Sequence, residues 1–182
     1  MRNESTKRKI IVNLATSVDG FIARPDDDIE WLIRRPEPEG FYGMNEFMKS
    51  VDVYLLGRKT YEVSLTLGEK FDANAQYYVF SRQPAPSSVP PKVKFIDGDI
   101  GELVQRLRNE NGKDIWLMGG GELIASFLDQ GLIDEFIISV VPVFIGEGIP
   151  LIAPRHRDIE LTLMSVTQFP DGLVQVHYAV NK

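Results

Sequence analysis

No cysteine occurs in the 182 residues, which rules out disulfides, thiolate metal sites and cysteine nucleophiles. Histidine is nearly as scarce. His156 and His177 are the only two, too few for a histidine-rich centre, and no metal is expected. No apolar run approaches the roughly 20 residues that cross a bilayer. The stretch from Met1 to Lys9 is polar and charged, and Ile10–Val12 is broken by Asn13, too short for the core of a secretory leader. The expected setting is cytoplasmic, with no membrane partner. Positive charge is short as well: 20 Lys and Arg against 26 Asp and Glu leave a net charge of −6. That argues against a nucleic-acid partner, though not against a local basic pocket.

What is present is ordinary globular composition, 43% apolar and 25% charged, in a chain long enough to bury a core. Residues 9–182 are read as one domain and residues 1–8 as a disordered tail. Apolar β-branched runs alternate with helical patterns, the signature of a layered α/β fold. Strands are expected at Lys9–Ala15, Asp52–Leu56, Gln76–Ser81, Val93–Ile96, Asp114–Met118 and Asp134–Val143. Helices fall between them. Phe41–Ser50 carries Phe41, Met44, Phe47 and Met48 at spacings of three and four, and Thr60–Leu67 follows the second strand. A third helix is capped by Asp99 and runs to Asn109, and a fourth runs through Leu128 to Gly131. Four prolines make Gln83–Pro91 a loop. Pro170-Asp171-Gly172 between Glu160–Phe169 and Leu173–Val180 is a hairpin signal. The expected architecture is a three-layer mixed β-sheet flanked by helices, with a C-terminal antiparallel hairpin.

Four segments carry chemistry. In Trp116-Leu117-Met118-Gly119-Gly120-Gly121-Glu122 a buried strand delivers three glycines to a helix start. Free helical N–H groups there suit a pyrophosphate, although a tight turn would also want glycine for its dihedral angles. The spacing is not G-x-G-x-x-G, so a plain Rossmann site does not follow. In Gly57-Arg58-Lys59-Thr60 two cations stand at a helix start, against the dipole. A bound anion explains them, as does a solvated pair beside a Thr cap. Ser81-Arg82 repeats the pattern at another strand end and would complete a pocket selecting a ribose 2′-phosphate; a solvated loop cation is the alternative. Asn13, polar within an apolar run, is either a satisfied core amide or a ligand contact. Downstream of it Asp19-Gly20 forms a turn before Ile22.

In this order the pieces resemble the dihydrofolate-reductase-like superfamily, most closely the reductase domain of riboflavin biosynthesis and its stand-alone relatives. The resemblance runs from about Lys9 to Val180. It rests on S-x-D-G-x-I-A at Ser17–Ala23, G-R-x-T-x-E at Gly57–Glu62, the strand-end Ser81 and G-G-G at Gly119–Gly121. To these it adds P-x-x-x-G-x-G-x-P-L at Pro142–Leu151. The resemblance implies an NADPH-dependent reductase acting on a small heterocyclic or carbonyl substrate, in a protein that pairs as a homodimer. Ala15 and Ile22 would contact the nicotinamide carboxamide; Arg58, Thr60, Ser81 and Arg82 would hold the 2′-phosphate; Gly120 and Gly121 would hold the pyrophosphate. Gly20, Gly57, Lys59, Met118, Gly119 and Glu122 join the expected cofactor set. Asn13, Phe41, Ser139, Gly146, Gly148 and Leu151 fall on the substrate side, and Asp19 and Glu46 are the candidate catalytic groups. Phe21, Trp31, Phe41, Tyr42 and Phe47 are candidate aromatic walls. Dihydrofolate reductases place an acid near the position of Phe41, where this chain has none, which argues against dihydrofolate. A non-catalytic NADP(H)-binding dimer is the reading from another class.

Overall fold

Alternation of side chains along the central strands divides the interior into two cores. On the third strand, β3 (Val51–Gly57), Val53 and Leu55 point one way and pack with Val12, Leu107, Leu117 and Phe127. Tyr54 and Leu56 point the other way and pack with Tyr61, Tyr77 and Val79. This is the computed structural model of the chain, which describes residues 7–35, 38–155 and 158–182.

The remaining elements follow in chain order. β1 (Ile10–Ser17), β2 (Phe21–Ala23), α1 (Glu30–Ile33) and α2 (Met44–Ser50) precede β3; α3 (Arg58–Thr66), β4 (Gln76–Phe80), β5 (Val93–Ile96) and α4 (Ile100–Asn109) follow it. The chain ends with β6 (Asp114–Gly119), α5 (Gly121–Asp129), β7 (Glu135–Val141), β8 (Ile149–Pro150), β9 (Leu161–Gln168) and β10 (Val174–Val180). Eight strands form one sheet in the order β5-β4-β3-β6-β1-β7-β10-β9. β5 through β7 run parallel, and β10 and β9 are antiparallel, as the hairpin signal predicts. Leu103, Val104 and Leu107 of α4 and Ile124, Phe127 and Leu128 of α5 seal one face. Asp99 caps α4 by accepting from the Glu102 N–H at 2.9 Å. No described helix is long and apolar enough to cross a membrane.

Three expectations need correction. Arg8, expected within a disordered tail, is buried, ion-paired with Asp52, and donates to Leu107 O at 3.3 Å; residues 1–6 of that expectation lie outside the described residues. The helix expected at Phe41–Ser50 begins only at Met44, because Gly40, Phe41, Tyr42 and Gly43 all take positive φ (76°, 49°, 54° and 80°) and Phe41–Gly43 is a 3₁₀ turn. Apolar spacing continues across that turn and hides it. The ribbon of β2 against β8 was not anticipated, since two or three residues are too few for a periodic signal.

Candidate functional site

Because β1, β3, β4 and β6 run parallel, their carboxyl ends share one edge of the sheet, where α/β folds form ligand crevices. Two glycine turns meet there. A Cβ built on Gly57 would stand 3.7 Å from Gly119 O and Gly120 N, and one on Gly120 would stand 3.6 Å from Thr60 Oγ1. Gly119 has φ +110°, and the Gly119–Gly120 peptide is cis. α3 and α5 both start at this edge with no side-chain cap, so their first N–H groups are open to an anion. Beside them Arg58 Nη1 donates to Ser81 Oγ at 3.2 Å and to Pro84 O at 2.9 Å, while Arg58 Nε donates to Glu62 at 2.9 Å. Arg58 also lies 5.5 Å from the Phe95 ring centroid. The residues expected at the phosphate end, Arg58 and Ser81, are thus brought together. Arg82 is exposed at the rim.

Adjoining this edge, over the face bearing Asn13 and Trp116, lies a cavity of about 460 Å³. Of the expected site residues, Asn13, Ala15, Ile22, Phe41, Lys59, Thr60, Met118 and Ser139 line it. The sequence reading missed much of its wall: Ile29, Leu32 and Ile33 on and beside α1, with Asp27, Arg35, Trp116, Leu173 and Gln175. Of the candidate aromatic walls, Phe41 and Tyr42 line the cavity, whereas Phe47 packs edge-on against Trp116 at 5.3 Å in the core.

Two residues of the cavity wall, Arg35 and Tyr42, are latched to the C-terminal hairpin turn. Arg35 Nη2 lies 2.6 Å from the Asp171 carboxylate, and the Tyr42 hydroxyl donates to the same oxygen at 2.7 Å. Gln175 Nε2 then reaches Tyr42 O at 3.3 Å and Ser139 Oγ at 3.0 Å. The Tyr42 and Arg35 hydrogen bonds hold the Asp171 carboxyl down to about 2. A depressed carboxylate stabilises the fold fully above its ordinary value of 3.8 and loses that contribution as pH falls through its folded value. Asp171→Asn is therefore expected to be less stable than the parent at pH 7, with the gap closing between about pH 4 and pH 2. Denaturation midpoints across that range check it; a gap constant with pH would mean that the charge contributes nothing.

Several expected residues lie elsewhere. The Ser17 hydroxyl and the N–H groups of Ile145 and Gly146, the latter at 2.7 Å, hold the Asp19 carboxyl below the usual range, and Asp19 pins the loop after β7. Glu46 is exposed and bonded to Lys49 at 2.6 Å, outside the cavity. Lys59 stays on the cavity wall but is paired there with Asp27 at 2.8 Å, and Glu122 pairs with Arg155 at 3.2 Å. Gly20, Gly148, Gly121 and Leu151 belong to a packing joint beside the cavity, and Gly146 N–H is held by Asp19. Leu151 N donates to Gly20 O at 3.0 Å, and Ala153 N to Gly121 O at 3.2 Å. Among the described residues no group of three His, Asp or Glu could hold a metal; His156 lies outside them.

Comparison with known proteins gives the chain a family. Residues 8–175 fit the model of the RibD C-terminal domain. YwjB, an uncharacterised protein of Bacillus subtilis (strain 168), is 39% identical over 94% of this chain and 98% of its own. A Shewanella sp. PV-4 protein described as a riboflavin biosynthesis candidate superposes with a TM-score of 0.82 at 28% identity, over 96% of this chain and 99% of that one. A dihydrofolate reductase from Enterococcus faecalis, solved with NADP(H), superposes with a TM-score of 0.67 at 13% identity, over 96% of this chain and 97% of that one. On these matches and on its own topology, the chain belongs to the RibD C-terminal domain family and carries the dihydrofolate-reductase-like fold.

Proposed function

We propose that the protein is an NADPH-dependent reductase that delivers a hydride to a small heterocyclic or carbonyl compound held in the cavity. One observation carries the reading: the cavity wall runs through Thr60 and Met118 directly into the paired, uncapped starts of α3 and α5, with Arg58 and Ser81 at the rim. An anionic dinucleotide with a flat head fits that sequence of surfaces. The open N–H groups would take the pyrophosphate, Arg58 and Ser81 the 2′-phosphate, and Ala15, Ile22 and Met118 would flank the nicotinamide. NADPH, when bound, supplies the hydride. The chain orients the two partners, and its apolar wall keeps water from between them. Calorimetric titration tests the reading: NADPH should bind much more tightly than NADH. If neither binds, the glycines and Arg58 serve the turns alone.

The same reading includes a homodimer. β9 is exposed along its whole length and shows Leu161, Leu163, Met164 and Val166, while Phe144 is 75% exposed. An apolar outer strand of this kind needs a cover, and a second copy offers the self-complementary one. Met164→Glu combined with Val166→Glu is expected to convert a dimer to a monomer in light scattering, with NADPH binding retained. A parent protein that is itself monomeric would remove this part of the proposal.

A further inference from the structure

A second cavity, of about 940 Å³, opens beside the first and shares Phe41, Met44, Trp116 and Met118 with it. It lies over the sheet face that bears Tyr54 and Tyr77, between α2, which contributes Met48, and the segment after α3, which contributes Phe71. The first cavity, at about 460 Å³, falls in the lower half of the range for ligand sites, roughly 300–1,000 Å³. In the reductase reading it has to take a nicotinamide and the reacting end of the substrate together. Any further part of that substrate needs an adjoining space, and the shared wall makes the second cavity that space.

One hydroxyl marks its floor. Tyr54 is 8% exposed, stacks on Tyr77 at 4.6 Å and lies 5.3 Å from Trp116. Tyr77 Oη already accepts from the Asp72 N–H at 3.0 Å. Tyr54 Oη has no hydrogen-bond partner among the described residues, and yet it is not sealed: the unpartnered side-chain atoms closed to solvent there belong to Asn13, Trp31 and Arg108. Burial pushes the Tyr54 phenol up to about 12, so it keeps its proton at any working pH. A reachable, unpaired hydroxyl on a side chain nine-tenths buried in an aromatic floor calls for an acceptor from the occupant.

We propose that the second cavity is a subsite for the far end of an elongated ligand. The flat head of that ligand occupies the first cavity, and its apolar or aromatic tail accepts a hydrogen bond from Tyr54. Calling the ligand a substrate rests on the reductase reading, while the subsite rests on the joined cavities and the hydroxyl.

Three compounds separate length from hydrogen bonding: acetophenone; 4-acetylbiphenyl, which adds a ring; and 4-isopropenylbiphenyl, in which a CH₂ group replaces the carbonyl oxygen. Each is measured by equilibrium dialysis against the full chain, with and without NADP⁺, and NADPH binding is titrated separately. 4-Acetylbiphenyl is expected to bind about tenfold tighter than acetophenone, because the second ring leaves water for the second cavity. Apolar area alone would favour the longer compound at any greasy surface. Met48→Trp, which fills the second cavity from α2, should therefore remove most of that advantage and leave NADPH binding unchanged. Tyr54→Phe deletes only the hydroxyl. It should weaken 4-acetylbiphenyl about fivefold and leave 4-isopropenylbiphenyl as it was. Should Met48→Trp fail to fold, the Tyr54→Phe comparison decides alone. Equal binding of the short and long ketones, an advantage that survives Met48→Trp, or a Tyr54→Phe variant that treats the carbonyl and its isostere alike overturns the inference. Should NADPH fail to bind while the expected order holds, the reductase reading falls and the subsite stands.

Discussion

Arg58→Ala is expected to weaken NADPH binding by about 10- to 100-fold and to leave NADH binding nearly unchanged, since a charge-assisted hydrogen bond to phosphate contributes roughly 1.5–3 kcal/mol. The geometry makes this cation the determining one. Its guanidinium is held on three sides, by Glu62, by Ser81 with Pro84 O, and by the Phe95 ring. A fixed planar fork loses little freedom on meeting a phosphate. Arg82, one residue past Ser81, is exposed and so loses more freedom on binding, so Arg82→Ala should cost NADPH binding less. Lys59 faces the cavity and Asp27 rather than the Arg58–Ser81 pair, and should matter least. Calorimetric titration of the three single variants with both nucleotides gives the ranking. If Arg58→Ala leaves NADPH affinity intact and lowers only thermal stability, then Arg58 is a pin for the 83–84 loop and the phosphate assignment fails.

The parallel strands, the capped α4 and the closing hairpin were legible because each has a local cause: β-branched runs, an Asp at the helix cap, and Pro-Asp-Gly at the turn. The meeting of Arg58 with Ser81, and of the Gly57 turn with the Gly119–Gly120 turn, was legible too, because glycines and cations at strand ends are a local pattern. What escaped the sequence is what depends on distant partners. Asp171 reads as a turn residue, and nothing near it announces that Arg35, 136 positions away, and Tyr42 will close on its carboxylate. α1 has only four residues, too short for a helical period, yet with Ile29 it supplies three members of the cavity wall. Asp19 stands among the candidate polar groups, and nothing near it announces the backbone N–H groups, 126 and 127 positions away, that hold its carboxylate. Gly146, Gly148 and Gly121 fall in the expected ligand set, but no local pattern announces that Gly148 and Gly121 also answer to packing and Gly146 to its positive φ.

That last distinction carries the second large effect. Gly148→Ala and Gly121→Ala should each cost about 3 kcal/mol, near the top of the range for overpacking, and lower Tm by roughly 6–12 °C in a chain of this size. A Cβ on Gly148 would stand 2.2 Å from Ala23 O and 3.1 Å from Phe21 Cβ; one on Gly121 would stand 2.5 Å from Pro150 O. The nearest atoms are backbone carbonyls, which cannot swing aside as a side-chain end can, so the β2–β8 ribbon has to separate. Gly146 is the control. It has φ +85° and nothing within 4 Å of a built Cβ, so Gly146→Ala meets only conformational cost, about 1 kcal/mol. The ribbon also carries Ile22, Ala23 and Ile149 into the cavity, so the two packing variants should lose ligand affinity as well as stability, and Gly146→Ala should lose little of either. Differential scanning calorimetry paired with NADPH titration reads both quantities. If all three variants melt together, the joint is loose enough to absorb a methyl group, and the ribbon does not set the shape of the cavity.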